Sequence, residues 1–151
     1  MANELPGMNL KAIGIVRNEV NQVTTGGYDW QDVVSEVVID RSLTEALDNL
    51  DEFSHIIVLY WMHRTSRQPP HKMHPKCRHE LPLVGLFATR SPNRPNPVGK
   101  ATVRLLQRQG NVLKVQGLDA IDGTPVIDIK PYIPGYDSVT DARAPKWITK
   151  R

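Results

Sequence analysis

The sequence predicts a mainly β fold, a single-domain β-barrel with one short helix. Three observations lead there. Short runs rich in β-branched residues recur along the chain, about seven of them. Only one stretch repeats its apolar residues at helical spacing. No strand leads through GxGxxG into a helix, so the doubly wound nucleotide fold is not indicated. At 151 residues the chain is expected to form one domain, 1–151, with a sizeable core.

The elements follow in order. Residues 11–17 alternate weakly and read as a strand. Residues 18–32 are polar, with Gly26-Gly27 as a turn signal, and 33–40 read as a second strand. Ser42-Leu-Thr-Glu45 has the form of a capping box. Leu43, Ala46, Leu47 and Leu50 then predict a helix over 42–51. The continuous apolar run 54–62 reads as a buried central strand. Residues 64–81 form a long basic loop with Pro69, Pro70 and Pro75; loops of that length are functional or disordered. Residues 83–89 read as another strand, 98–107 and 112–117 as a hairpin, and 126–129 as a short last strand. After Gly135 the chain is polar and irregular.

Composition narrows the class. The chain is 40% hydrophobic and 23% charged, as in soluble globular proteins. No apolar run is long enough to span a bilayer, and residues 1–10 do not read as a secretory signal. A single cysteine, Cys77, excludes an intramolecular disulfide framework and fits a reducing cytoplasm. The net charge is +3, and its distribution says more than its size. From His63 to Arg94 the chain carries Arg64, Arg67, Lys72, Lys76, Arg78, Arg90 and Arg94, with Glu80 the only acid. That stretch is a natural partner for a phosphate backbone, or a solvated loop.

The most informative segment is 83–100. An apolar run ends in Thr89-Arg90, and Pro92, Pro95 and Pro97 are then interleaved with Asn93, Arg94 and Asn96. Each proline fixes its own φ and pushes the preceding residue towards extended conformations. The result is a stiffened loop presenting two guanidiniums, whose forks suit a carboxylate or a phosphate.

The stretch Gly85-Leu-Phe-Ala-Thr-Arg-Ser-Pro-Asn-Arg-Pro-Asn-Pro-Val-Gly99 resembles the signature of the TsaA-like (TrmO) family. A second block, Gly117-Leu-Asp-Ala-Ile-Asp-Gly-Thr-Pro-Val-Ile-Asp-Ile-Lys-Pro-Tyr-Ile-Pro134, is similar to the family's other signature. Weaker echoes lie at 13–17 and at Phe53-Ser-His55 leading to His63, so the likeness spans a core of about 11–137. The resemblance implies a β-barrel methyltransferase that uses S-adenosylmethionine and works as a cytoplasmic homodimer. It implies methyl transfer to N6 of threonylcarbamoyl-adenosine, next to the tRNA anticodon. It implies that Leu118, Asp119, Ala120 and Ile121 wrap the adenosyl part through backbone groups. It also places His63, Arg64 and Lys100 near the cofactor. Longer relatives carry a further C-terminal domain that helps hold tRNA. This chain, ending at Arg151, is expected to lack it, which leaves the acceptor open.

For such a cofactor, Arg90 is the candidate anchor of the methionyl carboxylate. Asp119 and Asp122 are candidate acceptors from ribose hydroxyls or the ammonium group, though Asp122-Gly123-Thr124-Pro125 also reads as a plain turn. Asp128, Lys130 and Tyr132 alternate with Ile129 and Pro131, so an extended segment puts an acid, a cation and a phenol on one face. They are the candidate catalytic residues, with an ordinary edge ladder as the other reading. Tyr28 and Trp30 are aromatics that suit base stacking or packing. His71, His74, Cys77 and His79 match no common zinc spacing, and no metal is expected. Two rival functions stand beside the first: a methyltransferase of the same fold with a smaller acceptor, and a non-catalytic RNA- or nucleotide-binding module.

Overall fold

A computed structural model of the chain describes residues 3–22, 28–66 and 68–148. The Gly26-Gly27 turn and Arg67 of the basic loop lie outside the described residues. The strands in chain order are β1 (Gly14–Arg17), β2 (Val34–Ile39), β3 (His55–Trp61), β4 (Lys72–Met73), β5 (Val84–Gly85), β6 (Val98–Gln109), β7 (Val112–Gln116) and β8 (Pro125–Pro131). Six of them close into a barrel in the order β1-β2-β7-β6-β3-β8, every neighbour antiparallel. The short β4 and β5 pair with each other outside it.

Period-2 alternation sets which side chains fill the barrel. Ile56, Val58 and Tyr60 of β3 face Val103, Ala101 and Gly99 of β6. Val16, Val37, Ile39, Leu113, Val115 and Val126 complete the buried centre. Large residues sit over small ones. A Cβ at Gly99 would overlap the Tyr60 ring, so glycine is required where the phenol crosses β6. The continuous apolar run of β3 has a different cause on each side. Its inner residues form the core, while Leu59 faces outward between Lys100 and Asp128.

Three expectations are corrected. Residues 42–51 do not form an α-helix; two 3-10 segments stand there, Arg41–Leu47 and Leu50–Glu52, separated by Asn49 at φ 69. The cap is Asp40, not Ser42: its Oδ1 accepts from the Ser42 backbone N–H and from the Ser42 hydroxyl. Those bonds, the hydroxyl's first, hold the Asp40 carboxyl below its usual value. Its folded-state pKa is depressed, so the cap's contribution is present near neutrality and is lost as pH falls through that lowered value. Arg108 ties the segment to the β6–β7 hairpin through Asp48 and the Thr44 carbonyl. The one α-helix among the described residues is the single turn α1 (Pro134–Asp137). Residues 83–89 are not one strand. Only Val84–Gly85 pairs, and Leu86–Ala88 turn as a 3-10 segment closed by Thr89 N–H and Oγ1 on the Leu86 carbonyl. The apolar run therefore turns Phe87 out to solvent instead of burying it.

Candidate functional site

At one end of the barrel a cleft of about 210 Å³ opens between four pieces of chain. They are Trp30, the turn after β3 (Met62–Thr65), the proline-rich loop (Arg90, Pro92), and the segment from Asp119 to Thr124 that joins β7 to β8.

The 118–124 segment is a ledge fastened to the barrel. Leu118 and Ala120 are buried beneath it. The Tyr60 hydroxyl donates to Asp119 Oδ1 at 2.6 Å, so the ring lying on Gly99 also fixes the ledge's carboxylate. Asn18 Nδ2 donates to the Ala120 carbonyl at 2.8 Å and to the Ser35 hydroxyl at 2.9 Å inside the barrel. The Asn18 backbone N–H donates to Asp122 Oδ1 at 3.0 Å. The turn closes on Gly123, at φ 84, where a side chain would be strained. Its N–H donates to the Val16 carbonyl at 2.8 Å, and the buried Thr124 hydroxyl donates to the Ile121 carbonyl at 2.7 Å. Asp122, a candidate hydroxyl acceptor in the sequence, thus commits an oxygen to the fold. Asn18 is a functional support that sequence reasoning misses, because its neighbours read as loop. Its only sequence signal is an amide-bearing residue just after a strand.

The proline-rich loop is held differently. Pro97 is buried and its carbonyl accepts from Met62 N–H at 2.8 Å. Asn93 Oδ1 accepts from Ser66 N–H at 3.0 Å, which joins the loop to the turn after β3. The two guanidiniums divide. Arg94 Nη1 donates back to the Thr89 and Ser91 carbonyls, at 3.0 and 3.1 Å, so it braces the loop. Arg90 lines the cleft, exposed, with no hydrogen-bond or ion-pair partner among the described residues. Arg64, also on the cleft, donates to the Asn21 carbonyl at 2.9 Å.

Of the expected cofactor residues, His63, Arg64, Arg90, Asp119, Ala120 and Ile121 converge on this cleft. Leu118 has a fully buried side chain, which leaves only its backbone near it. Lys100 does not line it. Register places Lys100 and Asp128 on either side of Leu59, on the barrel's outer face. Asp128 and Lys130 form an ion pair at 3.0 Å on that same face, as an extended segment requires. The Tyr132 N–H donates to the His55 carbonyl just beyond the strand. None of these three residues lines the cleft. Asp128 instead borders a second, mostly apolar groove of about 310 Å³ between the 3-10 segments and β8. Trp30, which the sequence leaves between stacking and packing, does line the cleft, and Tyr28 packs against it with ring centroids 4.6 Å apart. No three His, Cys, Asp or Glu side chains converge among the described residues.

The family model of the tRNA-methyltransferase O N-terminal domain matches residues 18–138. The chain belongs to this family. An S-adenosyl-L-methionine-binding protein of Archaeoglobus fulgidus is 43% identical over 87% of this chain and 94% of its own length. A second protein of that organism, named a probable S-adenosyl-L-methionine-binding protein, is 41% identical over 90% of this chain, but the match covers 37% of its length. A mouse tRNA (adenine(37)-N6)-methyltransferase is 41% identical over 62% of this chain and 22% of its own. The crystal structure of TrmO from Pseudomonas aeruginosa superposes with a TM-score of 0.77 at 30% identity, over 95% of this chain and 62% of that one. The chain thus spans less than two thirds of several longer relatives. No helix among the described residues is long and apolar enough to cross a membrane.

Proposed function

We propose that this chain is a methyltransferase that uses S-adenosylmethionine to methylate N6 of threonylcarbamoyl-adenosine in the tRNA anticodon loop. The observation that carries the reading is the cleft itself. The Arg90 guanidinium, unpaired among the described residues, faces a ledge whose backbone and carboxylate are already locked in place. The names of the Archaeoglobus and mouse relatives support the cofactor and the kind of acceptor.

The donor set fits the cofactor. Arg90 pairs with the methionyl carboxylate. The backbone of 119–121 holds the adenosyl part, with Ala120 small enough to leave room. Asp119 has carboxylate lone pairs beyond the one that Tyr60 occupies, and these accept from ribose hydroxyls. Trp30 offers a ring face to the adenine. His63 and Arg64 close the remaining side. S-adenosylmethionine, when bound, supplies a methyl group activated by its sulfonium. The protein's task is therefore alignment and the handling of the proton that leaves the acceptor nitrogen.

The groups suited to that proton, Asp128, Lys130 and Tyr132, stand away from the cleft, on the side of the barrel that carries Lys100. In the homodimer we propose, this face meets the cleft of the second copy, so each cleft is completed by its neighbour. A cytoplasmic setting follows from the acceptor.

Two measurements test this. Purified protein, S-adenosylmethionine carrying a labelled methyl group, and tRNA bearing threonylcarbamoyl-adenosine should yield labelled N6-methylated nucleoside on digestion. Label in no nucleoside, with cofactor binding intact, overturns the acceptor. Mixing Arg90→Ala with Tyr132→Phe should restore activity that neither has alone. No rescue from verified mixed dimers overturns the shared cleft.

A further inference from the structure

One exposed aromatic in the loop that carries Arg90 is not among the residues lining the cleft. Phe87 is 79% exposed although it lies in an apolar run and inside the proline-rich motif. Its position is fixed, not incidental. The 3-10 turn Leu86–Ala88 is closed by Thr89 and anchored by the Leu86 N–H on the His71 carbonyl. The Arg94 guanidinium lies 5.7 Å from the Phe87 ring centroid. That guanidinium is itself held by the Thr89 and Ser91 carbonyls. One side of the ring is backed by a braced cation, and the rest is open to solvent.

The surroundings are basic. The β4–β5 ladder sets Lys72 opposite Gly85, two residues before Phe87. Arg90, three residues after it, reaches the cleft. The only acid in the stretch, Glu80, is paired with Arg78. A rigid aromatic face in a field of cations, three residues before one that lines the cleft, suits an unstacked base on a phosphate backbone. An apolar protein surface would strip the hydration of those cations without pairing them.

We infer that Phe87, backed by Arg94, is a stacking platform for a nucleobase of single-stranded RNA next to the nucleotide in the cleft. Resting on the reading of the acceptor as tRNA, the inference adds a positioning residue for it. The face is hydrophobic and sequence-tolerant, so the platform sets where the loop lies rather than which base is read.

The probe is a fluorescein-labelled anticodon stem-loop RNA, titrated at fixed salt. Phe87→Ala should weaken binding about tenfold, the low-to-middle range for removing one base stack. Phe87→Leu, which keeps apolar area but no π face, should behave like alanine, and Phe87→Trp should bind like the native chain. Affinity for S-adenosylmethionine should stay unchanged in all three. The salt dependence of the alanine variant should run parallel to that of the native chain, since every phosphate-neutralising cation is still present. Equal RNA affinity of the native chain and Phe87→Ala overturns the platform and leaves the acceptor reading standing. Native protein that binds no RNA overturns both. Native-like binding by the leucine variant, with a dimer-to-monomer change for alanine in sedimentation, overturns the platform in favour of a protein interface.

Discussion

The ledge at 118–124 and the proline-rich loop at 90–97 face each other across one cleft, yet they are built on different principles. The ledge is fastened from below. Tyr60, Asn18 and Val16, all belonging to the barrel or its edge, bond its backbone and carboxylates. The loop is stiffened from within, by three prolines and by Arg94 folding back on it, and the Pro97 carbonyl accepts from Met62, just past the end of β3. A neutral, shape-dependent partner such as adenosine needs fixed backbone groups. A charged one needs a cation that is near but not already satisfied. The contrast teaches that stability and binding are coupled at the ledge and largely separate in the loop.

Variants can pull the two apart. The largest expected effect is on the loop side. Arg90→Ala should cost on the order of 2–5 kcal/mol of S-adenosylmethionine affinity, read by titration calorimetry. Urea unfolding of the ligand-free protein should not change, because Arg90 has no partner to lose among the described residues. On the ledge side, Gly99→Ala forces the Tyr60 ring off β6 and should cost about 1–3 kcal/mol of stability. Cofactor affinity should fall with it, because Asp119 loses its donor. Equal loss of stability without loss of affinity would separate Tyr60 from the ledge. Asn18→Ala leaves the Ser35 hydroxyl and the Ala120 carbonyl without their donor and should cost about 1–2 kcal/mol in the same two assays. Replacing Lys72 and Lys76 by alanine should flatten the salt dependence of tRNA binding by roughly 0.7 for each phosphate no longer neutralised. Cofactor affinity should not move. Smallest of all, Lys130→Ala should change stability by less than about 1 kcal/mol, because its pair with Asp128 is exposed. A larger stability loss would mean that the pair supports the fold.

The parts of this molecule that can be read from the sequence are those where one residue's neighbours in the chain decide its fate. The β-branched run of β2, the continuous apolar run of β3 and the turn residues of the β6–β7 hairpin are signals of that kind. The motif around Arg90 carries a chemical meaning in its residue types alone. The apolar spacing at 42–51 misleads because it does not distinguish an α-helix from 3-10 turns. Asp40, two positions before the motif, takes the cap. Arg94 and Arg90 look alike because nothing local says that one folds back on carbonyls three and five residues away. Asn18 and Tyr60 act through partners far along the chain. Spacing alone does not reveal a bond from Tyr60 to Asp119 or from Asn18 to Ala120.

The barrel's last seam carries a consequence for how the protein comes into being. Ring closure joins Gly14 to Val126 and Ile15 to Pro125, the first strand to the last, by two registered pairs. Nearly the whole described chain must therefore leave the ribosome before the ring can shut, and the predominance of long-range pairing makes that search slow. The ledge is completed by the same event, since Val16 and Thr124 bond across the seam. A half-made chain has no cleft to fill. A ligand resting on the ledge meets only finished barrels and acts as a latch on them, holding them closed in proportion to how fully the site is occupied.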